Sequence, residues 1–297
     1  MTQLTQTAPA PYYTRIAPTT GWIALNLKEV WAYRELLYFL AWRDVKVRYR
    51  QTVLGAAWAV LVPFLTMVVF NVLFGVLMGA NGKPTIEGVP YTLSTFAAMV
   101  PWMMFAFVVT QSSNSLVANR NMITKVYFPR LIAPLAPVLS ALVDFLSAFA
   151  VLGAMIVAYH FTADFKFVPS WRLLLLPAFV LLASLTALGI SMWLSALNAL
   201  YRDVKYALPF LVQILMFASP VVYPAAKVLR ANIPQWAKVL YGLNPMVSVL
   251  EGFRWALFGT NDVSLPIVGL SSLMVLVMLL GGMFYFRRTE RLFADLA

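Results

Sequence analysis

The stretch "RDVKVRYRQTVLGAAWAVLVPF", residues 43–64, changes character halfway through. Its first eight positions hold four basic residues, and no charged residue follows Arg50 until Lys83. Cations stay at a membrane surface while apolar residues enter the hydrocarbon, so a dense positive cluster beside a long apolar run is typical of a membrane boundary. This junction predicts where the polypeptide first enters a bilayer.

The composition of the whole chain supports a membrane protein. Of its 297 residues, 62% are hydrophobic and 11% are charged, whereas a soluble domain carries about 25% charged residues. A water-soluble core of this size cannot bury so much apolar surface. The net charge of +11 is concentrated beside apolar runs, which favours a lipid surface over nucleic acid as its partner. The absence of cysteine excludes disulfides and thiolate metal sites.

Long apolar runs predict six membrane-spanning helices, since about 20 apolar helical residues cross a hydrocarbon core of about 30 Å. Five runs contain no charged residue, and the sixth contains one acid, Asp144. The runs are 51–82, 88–119, 131–163, 173–201, 206–226 and 263–286. Runs of this length without alternation exclude a barrel, so the predicted fold class is all-α.

Lysine and arginine predict the orientation of these spans. With six spans, the segment 1–54, the loops 118–130 and 198–205, and the tail from Arg287 share one side and hold 15 of the 22 basic residues. The positive-inside rule places that side, with both termini, in the cytoplasm. The predicted segments are a polar N-terminal extension (1–27), an amphipathic interface helix (28–54), a transmembrane domain (55–286) and a cytoplasmic tail (287–297).

The predicted interface helix combines an aromatic face with a basic stripe. Tyr38, Trp42, Val45 and Tyr49 fall on one helical face, and the cations lie about a quarter turn away. One interpretation is an orientation signal that also anchors the chain at the membrane surface. The other is that the cations receive an anionic lipid headgroup entering the bundle. The residues predicted to make this contact are Arg43, Lys46, Arg48 and Arg50.

The cytoplasmic loop "ANRNMITKVYFPR", residues 118–130, mixes cations with large apolar residues. Asn121 is predicted to cap a short helix that Pro129 ends. A solvated turn does not need five large apolar side chains, which favours a docking surface for another protein. The alternative is that the patch packs under the bundle itself. The predicted docking residues are Asn119, Arg120, Met122, Ile123, Lys125, Tyr127 and Phe128.

The outer segment 224–262 is apolar but interrupted by polar residues. Asn244 and Pro245 are predicted to begin a new helix that ends near Gly259, and Glu251 and Arg254 can pair on one face of it. We expect two half-helices that dip into the outer leaflet and return, and the alternative is a surface helix hairpin. The predicted gate residues are Trp236, Tyr241, Asn244, Pro245, Glu251 and Arg254.

Two further features lie inside the predicted spans. A carboxylate such as Asp144 costs about 2.5–3.5 kcal/mol there, which indicates either a hydrogen bond to a neighbouring helix or a role in gating or proton relay. Aromatic rings inside the spans can line a conduit, and the alternative for each ring is contact with lipid or other helices. The rings predicted to line a conduit are Trp58, Phe64, Phe70, Phe74, Trp102 and Phe105.

Four blocks carry a family resemblance: "WRDVKVRYRQTVLGAAWAVLVPF", "NMITKVYFPRLIAPLAPVLSALVDF", "LNALYRDVKYALPFLVQILMFASPVVYP" and "LNPMVSVLEGFRWALFG". Over residues 28–290 they closely resemble the membrane subunit of O-antigen-type polysaccharide ABC exporters. The resemblance implies a homodimer in the cytoplasmic (inner) membrane that works with two copies of a separate ATPase. It also implies a coupling loop at 119–129, gate helices around Asn244, and export of glycans on undecaprenyl pyrophosphate, or of teichoic acid polymers. Since an aromatic face packs against sugar C–H surfaces, the conduit rings would then line a glycan pathway.

The sequence also weighs against other functions. It contains no G-x-x-x-x-G-K-[ST] motif, so we expect ATP and Mg²⁺ to be bound by the partner and this chain to need no cofactor or metal. An integral membrane transferase acting on lipid-linked sugars would need a general base or a metal site. Its candidate acids, Asp44, Asp203 and Glu290, are scattered. A channel or secondary transporter would place more polar groups at mid-membrane than Asp144 alone. We therefore expect a transport subunit and no enzyme.

Overall fold

The computed structural model describes residues 27–50, 57–70, 72, 73, 76, 88–162, 165–259 and 265–290. Over these ranges the secondary structure is helical, without a strand, which confirms the all-α class. Most of the N-terminal extension, residues 51–56, Phe74 and the last seven residues of the tail lie outside the described residues.

Twelve α-helices make up the described part of the chain, and a 3₁₀ turn, Trp171–Leu175, leads into the seventh. They are α1 (Leu27–Ala32), α2 (Arg34–Tyr49), α3 (Trp58–Phe70), α4 (Tyr91–Ala118), α5 (Arg120–Ile123), α6 (Ile132–Thr162), α7 (Leu176–Leu200), α8 (Val204–Phe217), α9 (Ala225–Arg230), α10 (Gln235–Leu243), α11 (Pro245–Phe258) and α12 (Leu265–Thr289).

Four of the described helices are long and apolar enough to cross a membrane: α4, α6, α7 with its 3₁₀ turn, and α12. The other two predicted runs contain α3 and α8, which are apolar but have 13 and 14 residues. At 1.5 Å per residue, α8 extends about 20 Å, which is less than the hydrocarbon thickness. The chain directly after α3, at residue 71, lies outside the described residues. The run 206–226 was predicted as one helical span, but α8 ends at Phe217, before a segment that contains Pro220 and Pro224. Proline cannot donate a backbone hydrogen bond and restricts the residue before it, which explains the early end.

The centre of the bundle is α4, in which 19 of 28 residues are buried. It packs against α6, α7 and α11, while α12 lies on the other side of α7 and α2 lies on α6. Close-packed apolar side chains from α4, α6, α7 and α11 form one core, which includes Phe96, Phe105, Leu152 and Phe253. The central position of α4 explains why its apolar residues surround the whole helix, as a fully buried helix requires.

One end of the bundle gathers the segments that were predicted to be cytoplasmic. The Tyr127 hydroxyl donates to Glu29 Oε1 at 3.0 Å, which joins the loop after α5 to α1. Arg130, in the same loop, donates to the backbone oxygen of Glu290 beyond the end of α12. The first described helix and the end of the last helix therefore lie at the same end, as an even number of crossings requires.

Candidate functional site

The interface helix α2 is seated on α6 by an apolar face. Leu40, Ala41 and Val45 are buried, while Tyr38 and Trp42 are 66% and 46% exposed. The predicted aromatic face therefore lies at the edge of the contact, with Val45 turned into the protein and the two rings turned outward. Since α6 covers the buried face, only the outward side of α2 is left to meet a lipid surface.

Arg48 is bound to an acid in the middle of a long helix. Its Nη1 donates to Asp144 of α6, and the hydroxyl of Tyr49 donates to the other carboxylate oxygen. The guanidinium carbon lies 4.1 Å from the ring centroid of Phe107 in α4, within the range of a cation–π interaction. The expectation that Asp144 bonds to a neighbouring helix is confirmed, and the partner is the C-terminal end of the interface helix.

The other predicted headgroup cations differ in their surroundings. Arg43 Nη2 donates to Asp44 Oδ1 at 2.8 Å and to Asn119 Oδ1 at 2.9 Å, so it ties α2 to the end of α4. The ammonium of Lys46 is exposed and lies 5.4 Å from the ring centroid of Trp42. Arg50 is exposed at the end of α2. The stripe thus has two cations with polar partners inside the protein and two that face outward, and its contact with a lipid headgroup stays a prediction.

A cavity of about 400 Å³ lies beside Arg48, between α2, α3, α4 and α6. Its walls are apolar apart from one polar end, where Arg48, Tyr49 and Asp144 meet. Val62 of α3 and Met103 of α4 are among the apolar lining residues. The cavity therefore joins an apolar interior to the basic end of the interface helix.

The short helix in the predicted docking loop begins and ends at other residues than the sequence predicted. Asn121 was predicted to be its cap, but Asn119 occupies that position and α5 ends at Ile123, well before Pro129. The Asn119 side chain makes no capping bond, because its Nδ2 donates back to Ser115 O at 2.9 Å. Its oxygen accepts from Arg43, so this side chain serves the contact with α2 instead.

The apolar residues of the docking loop divide into an inward and an outward group. Phe128 is 4% exposed and packs in a cluster with Leu40 of α2, and Met122 and Ile123 pack partly buried against that cluster. Tyr127 and Val126 are 79% and 56% exposed. The inward group matches the alternative in which the patch packs under the bundle, and the outward group is left for a partner. The loop's polar docking candidates Arg120 and Lys125 are also exposed.

Glu29 has an electrostatic effect on the outward ring of the docking loop. The hydrogen bond that the Tyr127 hydroxyl donates to this carboxylate raises the pKa of Tyr127 above its usual value of 10.0, and the negative charge of Glu29 acts in the same direction. The hydroxyl therefore remains protonated at neutral pH and keeps its bond to α1.

The helix break in the outer segment is where the sequence predicted it. Asn244 Oδ1 accepts a hydrogen bond from the Met246 backbone at 3.0 Å, and Pro245 is the first residue of α11. Gly259 ends the helix with a φ of +70°, a left-handed conformation that glycine adopts without strain. These contacts confirm the predicted cap, start and end. Trp236 of α10 is 69% exposed, and Tyr241 is partly buried.

Arg254 is the centre of a buried polar cluster in this outer segment. Its Nη1 bonds to Glu251 Oε1 at 2.9 Å, which confirms the predicted pair, and to Pro220 O at 2.7 Å. Nη2 donates to Val221 O at 2.7 Å, and Nε donates to Ser94 O at the start of α4 at 3.0 Å. The side chain therefore holds together α11, α4 and the segment after α8. Sequence reasoning missed these carbonyl contacts, although a lone arginine in an apolar helix signals that such partners are needed.

The four predicted pathway rings whose side chains are described divide into an exposed and a buried pair. Trp58 and Phe64 of α3 are 41% and 44% exposed. Trp102 and Phe105 are 4% and 1% exposed and lie in the core, with ring centroids 5.1 Å apart. The side chain of Phe70 and all of Phe74 lie outside what the structure describes. Among the four described rings, those of Trp58 and Phe64 are therefore the ones open to a pathway, and their role stays a prediction.

These features are those of an integral membrane protein: a helix bundle with a surface helix and an exposed loop at one end and a broken helical segment at the other. The chain belongs to the ABC-2 type transporter family, whose sequence profile matches residues 35–258. The resemblance drawn from the four sequence blocks is thereby confirmed at the level of the family.

Named relatives span most of the chain. The O-antigen export system permease protein RfbA of Myxococcus xanthus is 30% identical over 228 residues, 77% of this chain and 82% of the relative. A protein of the same name from Klebsiella pneumoniae is 24% identical over 262 residues, 88% of this chain and 95% of the relative. The polysialic acid transport protein KpsM of Escherichia coli is 22% identical over 238 residues, 79% of this chain and 86% of the relative. All three names describe transport proteins, which favours the exporter over the transferase alternative.

Proposed function

We propose that this chain is the permease subunit of an ABC transporter that exports a lipid-linked, O-antigen-like polysaccharide across the cytoplasmic membrane. The observation that carries the proposal is the family match over residues 35–258, together with relatives named for O-antigen export that align with most of the chain. The long apolar helices agree with a path through lipid. The permease itself catalyses no reaction, and the energy comes from ATP hydrolysis in a separate subunit.

The proposed topology has six spans with both termini in the cytoplasm. The four long helices cross the bilayer fully, while α3 and α8 supply the other two crossings together with the residues that flank them. The short helices α10 and α11 form the re-entrant outer gate, in which Asn244 and Pro245 make the turn. The excess of lysine and arginine at the end that holds α1, α2 and the docking loop supports this orientation.

The proposed partner is an ABC ATPase present in two copies, which binds ATP and Mg²⁺. Its docking surface is the exposed part of the loop after α5, which presents Val126 and Tyr127 beside Arg120 and Lys125. Large exposed apolar side chains next to cations are what a protein-binding patch requires. Movement of this loop would reach α2 through the Arg43–Asn119 contact and α12 through Arg130.

Two copies of the permease are proposed to enclose the glycan pathway. The apolar faces of α3 and α8 support this arrangement, because Phe64, Phe210 and Phe217 are 44%, 66% and 57% exposed in the single chain. The lipid pyrophosphate enters from the cytoplasmic leaflet beside the basic end of α2. The glycan then passes the exposed rings of α3 and leaves at the outer gate segment.

The first test is purification of the full chain from its native host in mild detergent, with mass spectrometry of the proteins that accompany it. We expect a stoichiometric partner that carries the G-x-x-x-x-G-K-[ST] motif. Recovery of this chain without an ATPase, under conditions that preserve other membrane complexes, would contradict the proposed assembly.

A further inference from the structure

We propose that the cavity between α2, α3, α4 and α6 binds the single polyprenyl chain of the lipid-linked substrate, with the first phosphate at Arg48. This inference rests on the proposed function, because it names where the carrier lipid of that substrate is held. It also assigns a role to Asp144, as the counter-ion that positions Arg48 while the cavity is without its ligand.

The apolar lining of the cavity determines what can occupy it. Val62 and Pro63 of α3, Val100 and Met104 of α4, and Phe145 of α6 contribute apolar walls. Water is unfavourable in such a space because it needs two to four polar partners, whereas apolar molecules enter engineered cavities of this character. An apolar chain is therefore the favoured occupant.

The size of the cavity fits part of a hydrocarbon chain. Its volume of about 400 Å³ lies at the lower end of the roughly 300–1,000 Å³ found for ligand pockets. A polyprenyl phosphate has one chain, and the outward side of Trp58 and Val62, 41% and 46% exposed, leaves a lateral way in from the lipid.

The polar end of the cavity fits an anionic headgroup. Arg48 donates to Asp144 through Nη1. A guanidinium has five N–H donors in a fixed fork, and this geometry suits a phosphate. Lys46 and Arg50 extend the positive charge along the exposed side of α2. The cations of this helix outnumber the nearby carboxylates Asp44 and Asp144, so the local field remains positive.

Asp144 acts here as a positioning residue. Burial of an arginine without a counter-ion is costly, so the Asp144 carboxylate and the Phe107 ring hold the guanidinium at the cavity when no phosphate is present. An arriving phosphate shares or replaces the carboxylate as partner of Arg48. Since Arg48 lies in the last turn of the interface helix, this exchange loosens α2 from α6. It thereby links the arrival of substrate to the end of the bundle where the docking loop lies.

The test uses the full chain in nanodiscs and a farnesyl phosphate that carries a photoactivatable diazirine near the end of its tail. Cross-linked residues are mapped by mass spectrometry, and we expect labels on Met103, Met104 and Phe145. Arg48→Gln should weaken the binding of the probe about tenfold, as expected for the loss of a charge-assisted hydrogen bond.

The chain offers a matched pair of variants for the cavity itself. Val60 and Val62 are both 46% exposed on α3, but only Val62 lines the cavity. Val62→Trp should abolish labelling of the α4 and α6 residues, whereas Val60→Trp should leave it at the level of the parent. Because both positions are half exposed, neither variant is expected to prevent folding.

Two results would overturn the inference. One is equal labelling of the Val62→Trp and Val60→Trp variants. The other is competition by phosphatidylglycerol as strong as that by unlabelled farnesyl phosphate, which would make the cavity a general lipid site. If the chain assembles with its ATPase and supports export but is not labelled, the proposed lipid site is contradicted and the proposed function is not. If the chain has no ATPase partner, the proposed function is contradicted, whatever the labelling result.

Discussion

At the scale of single residues, Arg254 connects three parts of the outer segment. It is 4% exposed and bonds to backbone oxygens of Ser94, Pro220 and Val221 as well as to Glu251. The carbonyls of Pro220 and Val221 belong to a non-helical stretch, and that of Ser94 lies near the start of α4. The arginine therefore supplies the hydrogen bonds that allow an irregular segment to lie buried within the bundle.

Replacement of Arg254 by methionine should destabilise the protein by about 3–5 kcal/mol, because Glu251 loses its counter-ion and buried carbonyls lose their donors. The measurement is thermal unfolding of the purified chain in detergent, followed by loss of monodisperse protein. Arg230→Met is the control, since Arg230 is exposed on α9 and its loss should leave the midpoint unchanged. Equal midpoints for the two variants would show that the cluster around Arg254 is not important for stability.

The pair of Arg48 and Asp144 can be examined by a double-mutant cycle. The single changes Arg48→Gln and Asp144→Asn each leave one partly buried ion without its partner, and the double change removes both. We expect the double variant to be more stable than the sum of the single effects predicts, with a coupling of about 0.5–3 kcal/mol. Additive effects in thermal unfolding would mean that the two residues do not interact.

Residue-level prediction from the sequence succeeded where the partners are close in the chain. Asn244, Pro245, Gly259 and the Glu251–Arg254 pair all act within one helix, where the spacing alone determines which groups meet. Arg48 and Asp144 are 96 positions apart, and no local rule brings them together. The sequence indicated that Asp144 needs a partner, and only the packing of α2 on α6 identifies it.

At the scale of elements, small residues allow α7 and α12 to approach closely. A Cβ atom at Gly282 would lie 2.6 Å from the carbonyl oxygen of Gly189 and 3.0 Å from Trp193. A Cβ at Gly189 would in turn lie 3.0 Å from the backbone of Leu279. In a membrane, helix association depends on such close van der Waals contact, since lipid provides no hydrophobic force between apolar helices.

Gly282→Val should therefore separate α12 from α7 and destabilise the protein by about 1–3 kcal/mol through overpacking. Gly269→Val on the same helix is the control, because a Cβ there meets no described atom within 4 Å. Limited proteolysis of both variants in detergent provides the measurement, with faster cleavage expected for the Gly282 variant only. Similar cleavage rates would show that close contact with α7 is not what holds α12.

The docking loop is expected to lose its partner when its outward side chains become acidic. Val126→Asp or Tyr127→Asp should abolish co-purification of the ATPase, since both side chains are exposed and make up the apolar part of the outward surface. Tyr127→Phe is the matched control, because it removes the bond to Glu29 but keeps the ring. Retention of the ATPase by both acidic variants would rule out docking at this surface.

Among the elements, the sequence predicted helices more reliably than it predicted their lengths. The long apolar runs located the four long helices because about 20 apolar residues are needed to cross lipid. The same rule overestimated the length of α8. The apolar run that contains α8 continues beyond the helix into a proline-containing segment, which contacts Arg254. The sequence also did not indicate that Phe128 is buried, since its partner Leu40 belongs to another helix.

At the scale of the whole molecule, the two ends of the bundle differ in their construction. One end ties α1, α2, the docking loop and the end of α12 together through side-chain contacts, so a push on the loop reaches several helices. The other end is a broken helical segment held by Arg254. A subunit that receives force at one end and opens at the other needs this division, which fits an exporter driven by a separate ATPase.

The most direct test of this role is to locate the polysaccharide in cells from which the gene has been deleted and in cells complemented with it. We predict that the deletion strain still makes the lipid-linked polymer but retains it on the cytoplasmic side, with none at the surface, and that complementation restores surface polymer. Unchanged surface polymer in the deletion strain would contradict an export role. Failure to make the polymer at all would instead support the membrane transferase.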